Sequence, residues 1–209
     1  MPTPAHESAT HNLAVILGVL MARQLPGDTW QSFAFGGAQT TDISNSGGDG
    51  IKEPDQFIHP ERPDGPDCCW PNVVIETGVA ETHTQLKNDM HRWFAAERPV
   101  KFVILIIIDI RQGDQSTILV ELYENDPNFE PRPVRQQAVH KTREARRRDH
   151  FFLTGDLTGK QFKILWTDLF DKVPANLVGS QPDGLVMDTQ DLQHWRDKIL
   201  TAIRVGRRA

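Results

Sequence analysis

Cysteine is nearly missing from this 209-residue chain: the only two, Cys68 and Cys69, are sequence neighbours. Adjacent cysteines rarely satisfy the Cα separation and Cβ directions of a disulfide. No disulfide framework is therefore expected, and the bland reading is a reduced intracellular protein, cytoplasmic or nuclear. A long apolar run is also lacking. The longest, Val103–Ile108 and its neighbours, is far too short to span a bilayer. No basic segment followed by an apolar one opens the chain, so secretion is not expected. Excess positive charge is missing too. Net charge is −5 and the isoelectric point is near 5.9, so any contact with nucleic acid must come from a local patch. No Gly-x-Ser-x-Gly elbow, Walker loop or dinucleotide fingerprint appears. The eight histidines have no C-x-x-C partner, which argues against structural zinc.

What is present fits one soluble domain, 38% hydrophobic and 24% charged, with no internal repeat. The expected division is a core over about 7–124 and a C-terminal extension over about 134–205, with loop 125–133 the only seam. Leu13, Ile16, Leu17, Leu20 and Met21 predict a helix from about Glu7 to Leu25, stopped by Pro26-Gly27. Trp30–Phe35 is a candidate strand, and residues 36–50 form a Gly- and Ser-rich loop. Ile51–Ile58 predicts a short strand carrying Asp55. Val73, Val74 and Ile75 predict a strand that leads into Glu76.

Thr82 and Gln85 form a capping box for a helix over 82–95 whose apolar stripe is Leu86, Met90, Trp93 and Phe94. The branched run 100–110 suits a strand covered on both faces. These pieces make a βαβ unit, and a hairpin leads on to strand Thr117–Glu124. Further on, Phe151–Thr154 and Phe162–Trp166 are short strand candidates. Asp168–Asp171 is a helical turn. A last helix, capped by Asp188 or Thr189, presents Leu192, Trp195, Ile199 and Ile203.

Asp55, in Lys52-Glu53-Pro54-Asp55, and Glu76, at the end of an apolar strand, are the residues most suggestive of chemistry. Two carboxylates on adjacent strands can hold Mg²⁺ against a phosphate and a water. Alternation puts Glu76 on the face opposite Ile75 and Thr77. On the helix that follows, Gln85, Asp89 and Arg92 share one flank, with Asp89 and Arg92 spaced as an i,i+3 pair. His83, Lys87 and His91 form another column, and Lys87 lies about 100° round from Leu86. Glu81 suits the positive end of the helix dipole. Lys141, Arg143, Arg146, Arg147 and Arg148 form a basic segment that would suit nucleic-acid phosphates or serve as a solvated face.

Trp70-Pro71, Glu76, Gly78, Glu81, Leu86, Asp89 and Trp93 follow a spacing that resembles uncharacterised fungal proteins of the PD-(D/E)xK, or restriction-endonuclease-like, superfamily. The resemblance extends to Lys52–Asp55, to the apolar strand after the helix, and to C-terminal Leu-Thr-Gly, Asp-Leu-Phe and Gly184–Asp188 elements. It covers most of residues 50–200; residues 1–49 match only as a helix and a strand. It implies an α/β fold: a mixed central sheet with an αβββαβ core and a C-terminal helical extension. It also implies a metal-dependent phosphodiesterase acting on DNA or RNA with Mg²⁺ or Mn²⁺. Asp55 and Glu76 would be metal ligands, with Glu81 a candidate third and Lys87 or Gln85 assisting. The departure is at Gly78, where the superfamily carries lysine. That departure, with the acidic net charge, leaves open a catalytically silent binding or assembly module of the same fold. A homodimer pairing strand 117–124 between subunits is a further alternative.

Overall fold

The computed structural model describes residues 2–27, 29, 33–37, 41–42, 51–60, 70–79, 83–96, 98–111, 115–125 and 145–206. The fold is mixed α/β: a six-stranded mixed sheet, two small two-stranded ribbons and four helices among the described residues.

Helix α1 spans Pro4–Gln24. The Thr3 side chain accepts a bond from the His6 amide at its start, and proline at the first helical position needs no donor of its own. Its buried residues Ala5, Ala9, Leu13, Leu17 and Leu20 keep one face turned to the sheet. Strands β1 (Phe33–Gly36), β4 (Gln56–Pro60), β5 (Val73–Val79), β6 (Phe102–Asp109), β7 (Thr117–Asn125) and β8 (Ala145–Phe152) form the sheet in the order β1-β4-β5-β6-β7-β8. All neighbours are antiparallel except β5 and β6, which helix α2 (His83–Ala95) connects in parallel.

The central strands are covered on both faces, as their unbroken apolar runs require. Val73, Ile75, Phe102, Ile104 and Ile106 face a large core shared with α1 and with helix α4 (Thr189–Gly206). Val74, Val103 and Leu105 face α2, whose Leu86, Met90, Trp93 and Phe94 make the predicted stripe. The C-terminal segment belongs to the same core. Leu192, Trp195, Ile199 and Ile203 of α4 are buried in it, and the Trp195 indole donates to the Ala9 carbonyl at 2.9 Å. The Asp188 side chain caps α4, accepting from the amides of Gln190 and Asp191 at 2.7 and 3.0 Å. Helix α3 (Trp166–Leu169) follows strand β9 (Phe162–Leu165), which pairs with β10 (Gly184–Met187).

Three local expectations change. The strand expected over Ile51–Ile58 is two pieces. Ile51–Lys52 is β3, paired with β2 (Thr41–Asp42), and the main-sheet strand starts only at Gln56. Pro54 lacks the donor that would continue the ladder, and the chain bends at Asp55. Strand 117–124 is not an edge, because β8 pairs along its outer side. The strand expected at Phe151–Thr154 begins at Ala145, inside the Arg-rich stretch. The seam at 125–133 beyond Asn125, the Cys68-Cys69 pair and most of loop 36–50 lie outside the described residues.

Candidate functional site

The β4–β5 ladder pairs Phe57 with Val74 and Gln56 with Ile75 and ends there, so Asp55 lies one step past it, beside the Glu76–Thr77 segment. Because the ladder stops at Asp55, its side chain replaces a backbone acceptor: Oδ2 receives the Thr77 amide at 2.7 Å. The same oxygen lies 3.1 Å from His6 Nε2 on α1. The Thr77 hydroxyl meets that of Thr10 at 2.8 Å, which fixes α1 against this corner. A cleft of ≈ 480 Å³ opens beside Asp55, lined by Pro2, His6, Glu7, Thr10, His11, Glu53, Pro54 and Gln56.

Glu76 points to the opposite face of the sheet from Thr77, under α2, and is 5% exposed. Its Oε1 accepts the Trp93 indole N–H at 2.5 Å and lies 3.1 Å from Lys52 Nζ. Burial pushes its pKa up to about 7. The Lys52 charge and the Trp93 hydrogen bond oppose that rise, and the neighbouring Asp55 charge reinforces it. Lys52 Nζ also lies 3.4 Å from Asp89 Oδ2 and 5.7 Å from the centre of the Trp93 ring. Asp89 in turn makes the expected i,i+3 contact with Arg92, at 3.7 Å.

Lys52 is the site residue that sequence reasoning missed. It sits three positions before Asp55 in the quoted Lys-Glu-Pro-Asp segment. Nothing local tells that the β2–β3 ribbon carries it back over α2. Gly78 shares Glu76's face of β5 but offers no side chain.

The other flank of α2 serves a second carboxylate. Glu121 on β7 is 1% exposed and meets His83 Nε2 at 2.5 Å, the Tyr123 hydroxyl at 3.1 Å and Arg147 Nη1 at 3.3 Å. The His83 bond and charge, the Tyr123 bond and the Lys87 charge together outweigh burial, so its pKa is lowered. Lys87 lies on the His83 flank of α2 and its charge favours ionised Glu121, while Gln85 shares the flank of Asp89, one turn away. Glu81 lies outside the described residues.

The basic segment is largely committed to the protein's own acids. Arg148 makes a paired contact with Asp168 at 2.6 and 3.1 Å, bonds Glu124 at 2.7 Å, and stacks over Phe102 at 4.6 Å. Arg147 meets Glu121, and Arg146 lies 3.7 Å from Glu124. Lys141 and Arg143 lie outside the described residues.

Among the described residues, no three or more His, Cys, Asp or Glu side chains gather as a metal nest. Asp55 and Glu76 supply two carboxylates, one held on the α1 side and one under α2. One oxygen of each carboxylate, Asp55 Oδ2 and Glu76 Oε1, carries the contacts described above; Asp55 Oδ1 and Glu76 Oε2 enter none of them. Mg²⁺ commonly binds through one or two carboxylates and completes its shell with water and phosphate oxygens. Comparison with family models, curated proteins and solved structures returned no match.

Proposed function

We propose that the chain is a Mg²⁺- or Mn²⁺-dependent phosphodiesterase of restriction-endonuclease-like architecture, acting on DNA or RNA. The observation that carries this is the Asp55–Glu76 juxtaposition. Two acids 21 positions apart lie near enough for the Asp55 charge to help raise the pKa of the buried Glu76. The element order adds support. With the β2–β3 ribbon set aside, α1, β1, β4, β5, α2 and β6 follow the αβββαβ sequence that the resemblance implies.

Asp55 and Glu76 would hold the ion through their carboxylate oxygens. When bound, the ion supplies positive charge at the phosphate and acidifies the attacking water. Hydrolysis forms one bond from the water oxygen to phosphorus and breaks one ester P–O bond. The water's proton leaves to solvent, and the departing alkoxide takes one up. Trp93 anchors Glu76, the Thr77 amide and His6 anchor Asp55, and the cleft on the α1 side reaches Asp55.

The rival is a catalytically silent binding or assembly module. The pairing of Arg148 with Asp168 and Glu124 favours it, because that cation is held by the protein's own acids. The homodimer through strand 117–124 loses its free edge to β8.

The test combines cleavage of labelled DNA and RNA oligonucleotides with melting scans in Mn²⁺. An active enzyme is stabilised by metal, by about 3 kcal/mol at a hundredfold excess over Kd. Asp55→Asn and Glu76→Gln should each remove both that shift and cleavage. Wild-type protein with neither a metal-dependent shift nor cleavage would establish the silent module.

A further inference from the structure

We infer that the face between α2 and β8 binds a single strand of DNA or RNA, with His83, Lys87 and Arg147 on its phosphates and Phe152 stacked on a base. This deepens the nucleic-acid reading above and rests on it for the class of polymer. It needs neither metal nor cleavage, so it applies to an enzyme and to a silent binding module alike.

The β7–β8 register builds one side of this face. Phe152 pairs with Leu119, His150 with Glu121 and Arg147 with Tyr123. Glu121 and Tyr123 lie on the α2 side of the sheet, so their cross-strand partners stand on that side too. Phe151 turns the other way, into the core. Phe152 is left 53% exposed. A lone exposed phenylalanine is ordinary; this one stands in line with an imidazole and a guanidinium.

Helix α2 builds the other side. His83 and Lys87 are one turn apart on one flank. His83 Nε2 meets Glu121, and the Lys87 charge acts on the same carboxylate, which sets both beside β7. The side chains are open to solvent: Arg147 is 47% exposed, His83 is 42% exposed, and His150 is exposed as well. A guanidinium has five N–H donors, and Arg147 gives Glu121 one from Nη1. Among the described residues of β7 and β8, the acid on this face is Glu121, buried and already joined to His83 and Arg147. Glu124 and Asp149 lie on the opposite face, where Glu124 takes Arg146 and Arg148. The Arg-rich run is thus divided between the two faces, and of its described arginines Arg147 belongs to this one.

Spacing and chemistry favour a single strand. Four residues of helix rise ~6 Å and two residues of strand ~6.7 Å. The step from His83 to Lys87 therefore matches the step from Glu121 to Tyr123, along which His150 and Arg147 are set. One extended sugar-phosphate chain can follow both rows. A duplex keeps its bases stacked on one another and offers Phe152 no open base face. A single strand offers one, and an aromatic ring beside a cationic track holds such strands without reading their sequence.

The experiment measures binding of labelled single-stranded DNA and RNA oligonucleotides, and of the duplex of the same sequence, by fluorescence anisotropy in EDTA over a series of salt concentrations. Full-length wild type is compared with Phe152→Ala, Phe152→Trp, Lys87→Gln and Lys198→Gln, the last an exposed lysine on α4. Circular dichroism confirms folding. The single strand should bind at least about fivefold tighter than the duplex, the least that one stacked base contributes. Phe152→Ala should weaken it by about fivefold to a hundredfold without changing the salt dependence. Phe152→Trp should bind as wild type, with its emission quenched by the stacked base. Lys87→Gln should weaken binding and reduce the slope of log affinity against log salt by about 0.7, the share of one phosphate on a single strand. Lys198→Gln should change neither. Phe152→Ala with wild-type affinity, or a wild type that prefers duplex, overturns the inference and leaves nucleic-acid binding to another surface. Lys87→Gln with the slope and affinity of Lys198→Gln overturns the α2 side of it. Should Phe152→Ala fail to fold, Phe152→Trp decides: unquenched emission at saturation overturns the stacking. If wild type binds neither strand nor duplex at the lowest salt, the nucleic-acid reading itself fails and this face falls with it.

Discussion

Glu76 and Glu121 occupy matching places and behave in opposite ways. Both lie on the α2 face of the sheet, in one cross-strand row: Glu76 pairs with Leu105, and Leu105 pairs with Glu121. Both are almost fully buried. Burial alone would raise both pKa values. Glu121 is nevertheless lowered, because His83, the Tyr123 hydroxyl and the Lys87 charge converge on it. Glu76 is raised to about 7, because its partners are one neutral indole and one shared ammonium, with Asp55 adding repulsion. The carboxylate with several donors ties α2 to β7 and β8. The carboxylate left short of positive charge is the one beside a second acid, where an external cation would complete the balance.

The contrast can be broken from either side. The largest effect should come from Trp93→Ala. It removes a fully buried indole from the core under α2 and deprives Glu76 of its neutral donor. A loss of about 3–5 kcal/mol is expected in urea denaturation. A loss near that of Tyr123→Phe, about 1 kcal/mol for one hydrogen bond, would mean that the Glu76 side is packed no more tightly than the Glu121 side.

Next comes Glu121→Gln, which should cost about 1–3 kcal/mol at pH 7, because Gln takes charge-assisted bonds poorly. The folded pKa of Glu121 lies below its ordinary value of 4.5. Its stabilisation is therefore complete above that value and is lost as pH falls through the lowered one. Wild type and Glu121→Gln should converge in acid. Equal stability at pH 7 would show that the His83–Glu121–Arg147 cluster holds nothing together.

Much of this architecture was legible because it is written locally. Leu86, Met90, Trp93 and Phe94 fall on one helical stripe, and the run 102–109 is too apolar to be anything but a covered strand. The end of the β4 ladder at Asp55 was legible in part, since Pro54 removes a backbone donor just before it. Lys52 was not, because its contacts depend on where the β2–β3 ribbon lies. Strand β8 was hidden for a related reason. Arg146–Arg148 reads as a solvated charge run until Glu124 and Asp168, distant in sequence, neutralise it. Glu121 did leave a signal: an acid set between Val120 and Leu122 in the middle of an apolar strand, in step with Leu119 and Tyr123. Such an acid demands a partner, and the His83–Lys87 column of α2 supplies it.

Glu76→Gln gives the smallest and most discriminating shift. The folded pKa, about 7, exceeds the ordinary 4.5. Between those values the folded carboxyl keeps a proton that the unfolded one has released. The stability it contributes is complete below 4.5 and is lost as pH rises through about 7. Gln mimics the protonated carboxyl at every pH. The variant should therefore match wild type near pH 5 and exceed it above pH 7. The whole shift corresponds to about 3 kcal/mol, since each pKa unit is worth about 1.4 kcal/mol. The new amide's N–H groups need acceptors, so a net gain of about 1–2 kcal/mol is expected at pH 8. Urea denaturation at the two pH values measures it. A variant less stable than wild type at pH 8 would mean that the Lys52 pair already satisfies Glu76, and the two carboxylates would then differ in degree and not in kind.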